Sequence, residues 1–578
     1  MESTHRSEYD VILVGVGAAG AISLSRWALA HPDKSFLALE LGGPTAAAVG
    51  GSDFPPYYDG AADKKTIFDV PGEYFNIAFQ PKGKPYKIAQ TAFTYQGKGY
   101  GGNSQFNGML FQVPRPAYLD AWPNGWQAAD MRPRYEALLD VIDVSDHPSA
   151  DGHFYNPGAA EVVGEIYSAA GYPEVDTTWL PSKAPYFSRP YVASADGLRG
   201  GPLTGFLEKI VDSGGHSRRD NLTLLRFAEV SKILFADDGS GRATGVTFRQ
   251  SEGLDKPAGD ERTAFLKPGG RVVMAAGALN TPRLLLLSGV GPAGREKEIF
   301  PDGPPLSFTI DNPLLGVGLF DHVGTGMVFS YDGPIGYQAY NYADYKKNAA
   351  DLEDFVHRRS GPYAQYGPVS VMHRHAGPQP PEDDANMEFW INPNGLGTPG
   401  GTFYPTNSFA VYAMLLTPEA RSLLQIDSSD AVMYPNLYLS NPKDLETMTD
   451  GVYDLIQLYQ PSKQGPLSIL FGPGGPAFPK LDPNNRRDVQ TYVQEGPYSA
   501  PGGEIYFTKL IMNHWGGTCP LSGQRGGVDP KSLRVDGTEN VHVIDASLMP
   551  APVPGHPVAT VMAIAEKAGS VIGGLLAD

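Results

Sequence analysis

The chain reads as α/β (α+β, two domains): a parallel-sheet domain with a second domain, built on an antiparallel sheet, interleaved in it. Three observations predict this. The N-terminus runs strand, glycine-rich turn, helix, strand; short apolar runs of the same character return between residues 222 and 276 and at 541–544; and the stretch from about 310 to 500 alternates apolar and polar residues between Pro and Gly breaks.

In chain order, Tyr9–Val14 is a mostly apolar strand that runs into the turn Gly15-Val-Gly-Ala-Ala-Gly20, and apolar residues then recur at helical spacing to about Ala30. Phe36–Leu39 is a second strand, ending at Glu40. Residues from about 45 to 90 lose this periodicity and read as an excursion from the sheet. Leu222–Leu225, Glu229–Phe235, Ala243–Phe248 and Arg271–Ala276 are strands that return to the first domain, whereas Ser408–Leu416 suits an antiparallel sheet. Val541–Ile544 is a last strand, and Val558–Leu576 a last helix with Val561, Ala565, Ala568 and Ile572 on one face.

With 41% hydrophobic and 19% charged residues, the 578-residue chain has globular composition. A formal charge of −18 repels phosphate backbones and anionic lipid, so neither nucleic acid nor a membrane is an expected partner. Ala546–Ala565 lacks Asp, Glu, Lys and Arg, but its four prolines disqualify it as a spanning helix. The lone Cys519 makes no intramolecular disulfide, and MESTHRSEYD carries charge where a signal peptide needs an apolar stretch. A soluble, cytoplasmic protein is the expectation, with secretion open if a leader has been trimmed.

The strongest chemical signal is Gly15, Gly17 and Gly20 between strand and helix, with Glu40 beyond the second strand. Gly15 permits the turn, Gly17 lets backbone approach a pyrophosphate, Gly20 lets helix pack on strand, and Glu40 accepts from a ribose hydroxyl. This pattern alone does not choose between NAD and FAD. Two further segments do. GKGYGGNSQFNGMLFQVPRPAYLD, from Gly97 to Asp120, and GALNTPRLLLLSGVG, from Gly277 to Gly291, resemble the two signatures of the glucose-methanol-choline (GMC) family of FAD-dependent oxidoreductases, with Tyr100 where an aliphatic residue is usual. GVGLFDHVG around Asp321 and His322, NVHVIDASLMP and PGHPVAT extend the resemblance, and DHPSADG and MNHWGGT are similar to the flavin domain of cellobiose dehydrogenases.

The resemblance implies a Rossmann-like FAD domain of residues 1–45, 90–120, 190–310 and 505–578, and a substrate domain with lid excursions of 46–89, 121–189 and 311–504. It carries cofactor contacts onto Gly15, Gly17, Gly20 and Glu40, onto Gly102, Ser104, Asn107, Gly108 and Met109, and onto Val230, Asp545 and His556. Phe106 stands where members with covalent flavin place a histidine, so the FAD is expected to be non-covalent. The family's catalytic pair falls on His514 and His556: His514 takes the hydroxyl proton, His556 holds the substrate oxygen, and the flavin N5 accepts the hydride. His556 precedes Pro557, which suits the start of a helix whose positive end faces the site.

The expected activity is oxidation of a sugar or polyol hydroxyl, with oxygen, a quinone or a redox protein as electron acceptor. An aryl or other primary alcohol oxidase is the first alternative, because cellobiose dehydrogenases carry asparagine where His556 stands. A lyase of the hydroxynitrile lyase type is the alternative from another class. Tyr337, Tyr340, Tyr342, Tyr345, Tyr363, Tyr366, Phe389 and Trp390 are candidate aromatic faces for substrate, though most aromatic residues are core. His322 is read chiefly as packing, Cys519 as inert, and His373 and His375 lack a ligand pattern around them, so no metal is assigned.

Overall fold

The computed structural model describes residues 8–577, apart from 80–86, 90–94, 182, 255, 304–305, 334–339, 343, 378–384, 394–406, 461–466, 495–497, 500–504 and 507–509. Strand Glu8–Val14 is buried from Val11 to Val14, as a strand covered on both faces must be, and it pairs in parallel with Phe36–Leu39 and with Ala258–Met274. The sheet order is Leu222–Leu225, Phe36–Leu39, Glu8–Val14, Ala258–Met274, Ala243–Ser251 and Ala228–Phe235, with Val541–Val543 added in parallel beside Val272–Met274. The runs read as strands at 222–225, 229–235, 243–248, 271–276 and 541–544 all join this one sheet, in which Ala258–Met274, Ala243–Ser251 and Ala228–Phe235 pair antiparallel. The sequence begins a strand only at Arg271, whereas the observed strand starts at Ala258: its charged residues Asp260–Arg262 are exposed, and the ladder to Gly245–Arg249 holds them extended without a buried face.

Helix Ala18–Ala30 packs on the C-terminal helix Val558–Ala577, which also packs on Ala128–Leu139. Among the described residues, Val558–Ala577 is the one helix long and apolar enough to cross a membrane by length and composition. The four prolines that set Ala546–Ala565 aside all lie upstream of it. Here its apolar face is core: Met562–Ala565, Ala568 and Ile572 are buried, its Glu566 pairs with Arg26, and Trp27 Nε1 donates to Gly569 O at 3.0 Å.

The second sheet is antiparallel, in the order Leu467–Phe471, Val323–Tyr331, Ser408–Leu415, Met387–Asn392, Ser370–Arg374 and Tyr186–Ser188, with Leu510–Ile511 beside Val323–Gly324. Period-two alternation sorts its residues. Met387, Phe389, Ile391, Phe409, Val411, Ala413 and Leu415 share a buried core with helices Gly158–Ala169 and Pro442–Tyr459. Glu388, Trp390, Tyr412 and Met414 therefore occupy the opposite face. The register sets one row straight across it: Tyr186 opposite His373, His373 opposite Glu388, Glu388 opposite Met414, and Met414 opposite Gly324.

Candidate active site

Two glycine loops meet at the carboxyl end of the parallel sheet. Gly101 N donates to Val16 O at 2.8 Å and Tyr100 N to Gly43 O at 3.0 Å, so the loop from Gly97 lies against the first turn. Gly15 has φ +97°, and a β-carbon there would sit 2.5 Å from the Ala275 carbonyl oxygen, so no other residue fits. A β-carbon on Gly17 meets no protein atom closer than 3.9 Å. That position is left open to the outside of the turn, and no side chain among the described residues caps the helix that starts at Ala18. Glu40 is buried and takes N–H bonds from Val16 at 2.7 Å and Gly42 at 2.8 Å; burial raises its proton affinity against those bonds.

Further along, Ser104 Oγ donates to Gly101 O at 2.8 Å, and Asn107 Oδ1 accepts from Met109 N at 3.2 Å, where Met109 is held at φ +65°. Arg199, which the sequence reading passed over, is buried and donates through Nη1 to Ser104 O at 3.1 Å and to Asn107 O and Oδ1 at 2.9 Å. Asp545 is occupied within the fold, accepting from Gly277 N, Thr281 Oγ1 and Ser547, and Val230 is buried in its strand. A bound dinucleotide fits this cradle. Among the described residues, buried Arg199 Nη2 and Tyr100 Oη have no hydrogen-bond partner, and Gly17 and Gly108 leave space at the backbone.

His514 and His556 come together beside the second sheet, with ring centroids 4.9 Å apart and planes at 78°. Asp321 Oδ1 accepts the His514 backbone N–H at 2.7 Å and Asp321 Oδ2 accepts Tyr438 Oη at 2.8 Å; burial lifts this carboxyl to about 7 against those bonds. The next residue, His322, has its Nδ1 2.9 Å from His514 Nδ1 and its Nε2 3.0 Å from Leu416 O. His322 is therefore a polar partner of the pair rather than packing. Burial first, then the neighbouring His556 and His322, push His514 well below the ordinary histidine range, with Glu388 acting the other way. Burial, followed by His556, lowers His322 to about 4.

On the other side, Glu388 Oε1 lies 3.1 Å from His556 Nε2, and Oε2 accepts Gln112 Nε2 at 3.0 Å, while Gln112 Oε1 accepts His556 N–H at 2.9 Å. His373 Nε2 stands 2.8 Å from Glu388 Oε2, at an angle outside hydrogen-bond alignment, and stacks on Tyr186. Burial alone would raise the Glu388 carboxyl, but His556 and His373 outweigh it and hold it well below the usual carboxylate range. Glu388 and Gln112 carry no motif of their own; the one available signal was a lone acid in an apolar alternating strand. Val561 N donates to Pro557 O at 2.9 Å, so the last helix begins immediately after His556.

Of the aromatic candidates, Trp390 reaches the pair, its ring centroid 5.5 Å from that of His556 and stacked on Tyr412. Phe389 points into the core. Tyr340, Tyr342, Tyr345, Tyr363 and Tyr366 pack on one another in a separate cluster, and Tyr337 lies outside the described residues. Cys519 is buried, and burial pushes its thiol well up. No group of acids, histidines or cysteines suited to a metal occurs among the described residues.

Sequence profiles of GMC oxidoreductases match residues 9–324 and 418–565, which include both glycine loops and the His514 and His556 segments. The chain belongs to the GMC oxidoreductase family. GMC oxidoreductases are FAD-dependent, so this is an FAD enzyme acting on CH–OH groups of alcohols. It is 25% identical to an alcohol dehydrogenase [acceptor] of Pseudomonas putida, over 98% of this chain and 95% of the relative. It is 24% identical to an oxygen-dependent choline dehydrogenase of Pseudomonas aeruginosa, again over 98% and 95%. The fold is shared with a formate oxidase, at TM-score 0.74, 18% identity and 99% coverage of both chains. It is shared equally with a fungal aryl-alcohol oxidase, at TM-score 0.72 and 20% identity, covering 99% of this GMC chain and 100% of the other.

Proposed function

We propose that this GMC oxidoreductase oxidises a small alcohol in which His514 takes the hydroxyl proton and His556 holds the oxygen. The observation that carries the reading is the facing pair itself, with ring centroids 4.9 Å apart. A His514 kept neutral by burial is ready to accept a proton near neutral pH. The Glu388 carboxylate accepts from His556 Nε2–H, so His556 holds the alcohol oxygen through its other ring nitrogen when the ring carries both protons, a charge that the carboxylate balances. Bound FAD, non-covalent on the strength of Phe106, supplies the acceptor for the hydride that leaves the same carbon. The proposed contacts to it are the two glycine loops, Glu40, Ser104, Asn107 and Met109.

For the substrate, the surroundings favour an aromatic or other apolar primary alcohol over the sugar or polyol expected from the sequence. Trp390 faces His556, and Met414, Leu416 and Met512 form an apolar cluster with it, whereas Gln112 and Glu388, the side chains hydrogen-bonded to His556, are also bonded to each other. The named relatives, acting on alcohols and choline, supply no carbohydrate precedent.

Anaerobic stopped-flow on the FAD-loaded enzyme with benzylic alcohols, aliphatic alcohols, choline and sugars tests this. Loss of the oxidised flavin absorbance with benzylic alcohols, and not with sugars, is expected. Reduction by sugars alone would return the reading to carbohydrate. No reduction by any alcohol would favour the lyase chemistry. Oxygen and quinone acceptors compared in turnover would then divide oxidase from dehydrogenase.

A further inference from the structure

We infer that His322 is a positioning residue that sets which nitrogen of His514 is basic, acting as a hydrogen-bond relay from the Leu416 carbonyl. This rests on the assignment of His514 as proton acceptor and adds to it the ring nitrogen involved and the residue responsible.

The inference follows from counting protons along a short chain of atoms. A backbone carbonyl only accepts hydrogen bonds, so at 3.0 Å from Leu416 O the nitrogen His322 Nε2 carries a proton. A neutral imidazole has one N–H, and His322 is a buried ring held neutral near pH 7, so its Nδ1 presents a lone pair. That lone pair faces His514 Nδ1 at 2.9 Å, and two ring nitrogens at this distance share one proton. The proton belongs to His514 Nδ1. The lone pair of neutral His514 is then at Nε2, which no described group takes as a hydrogen-bond partner. The rings meet edge to face, at 90° with centroids 5.1 Å apart, so the His514 N–H points along its own plane at the partner nitrogen.

The two-residue segment Asp321–His322 thus grips His514 twice: Asp321 takes the backbone N–H at 2.7 Å and His322 takes the ring. Both residues are placed by the entry to strand Val323–Tyr331, and Leu416 follows directly on strand Ser408–Leu415, which pairs with it. When His514 gains a proton at Nε2, its Nδ1–H still points at His322, so the imidazolium keeps its partner without rearrangement. The titratable groups that face His514 besides His322 are His556, Glu388 and Asp321.

The test uses the FAD-loaded enzyme labelled with 15N-histidine. Long-range 1H–15N spectra report the tautomer of each ring, and the signals of His514 are those lost in His514→Ala. Wild-type His514 is expected to be neutral and protonated at Nδ1; protonation at Nε2 overturns the inference whatever any variant does. His322→Leu, which removes the acceptor, is expected to mix the tautomers and slow anaerobic flavin reduction by about two to three orders of magnitude. His322→Asn, whose Oδ1 stands in for the ring nitrogen, is expected to keep the Nδ1–H form and most of the rate. A wild-type rate, pH profile and tautomer in a flavin-containing His322→Leu enzyme would also overturn it. An unchanged reduction rate in His514→Ala counts separately, against the base assignment and not against the tautomer.

Discussion

The carboxylate of Glu388 holds His556 at 3.1 Å through one oxygen and meets His373 at 2.8 Å through the other. It is a charge with no solvent contact, set opposite His373 by the register of a sheet whose other face is core, and reached by His556 and the Gln112 amide from outside that sheet. A buried charge of this kind is retained only with partners, and here one partner, His556, faces His514.

Glu388→Gln removes that charge while keeping the shape. Flavin reduction is expected to slow by about one to two orders of magnitude as His556 loses its anchor. Glu388 is also the group that raises the proton affinity of His514, so the limb of the rate–pH profile belonging to the base moves to lower pH. A stopped-flow pH series on both enzymes checks the direction.

His514→Ala and His556→Ala leave the glycine cradle untouched. Each is expected to lower the anaerobic reduction rate by two orders of magnitude or more, roughly what a positioned acid or base contributes, with FAD content unchanged in the visible spectrum. Loss of FAD in step with the rate would instead make these residues cofactor anchors.

The two turn glycines separate stability from binding. Gly15→Ala forces a β-carbon to 2.5 Å from Ala275 O at φ +97°, and a loss of about 1–3 kcal/mol in chemical denaturation is expected. Gly17→Ala meets nothing closer than 3.9 Å, so the apoprotein should unfold as the wild type does while FAD affinity, measured by fluorescence titration, falls at least about tenfold.

His542, buried with Nδ1 2.9 Å from Ser532 O, lies away from the histidine pair and is lowered to about 4 by burial. Its folded value lies below the unfolded value near 6.5, so the unfolded chain binds more protons between those limits and stability falls as pH drops through the window. His542→Asn should remove about 2 kcal/mol of the stability lost between pH 7 and pH 5, as read from urea midpoints at both pH values.

Much of this architecture was legible in one dimension. The Gly15–Gly20 turn, Phe36–Leu39 and the returning strands announce themselves through local apolar runs and glycine placement, and one sheet collects these strands, with Ala228–Phe235 and Ala243–Ser251 joining it antiparallel to Ala258–Met274. The exposed half of Ala258–Met274 escaped because its charged residues gain order from a neighbouring strand and not from burial. His514 and His556 were found through motifs; no local pattern says that they face each other.

The sequence by itself determined the family and the cofactor class and put the two histidines forward as candidates, because the family's motifs set particular residues at particular short spacings. Only the tertiary structure decided that Glu388, Gln112, His373 and His322 attend those histidines, and that Trp390 faces them while Phe389 does not. Strand pairing and side-chain alternation bring these groups in from distant parts of the chain, and a buried charge or a shared proton is meaningful only once its partner is in place.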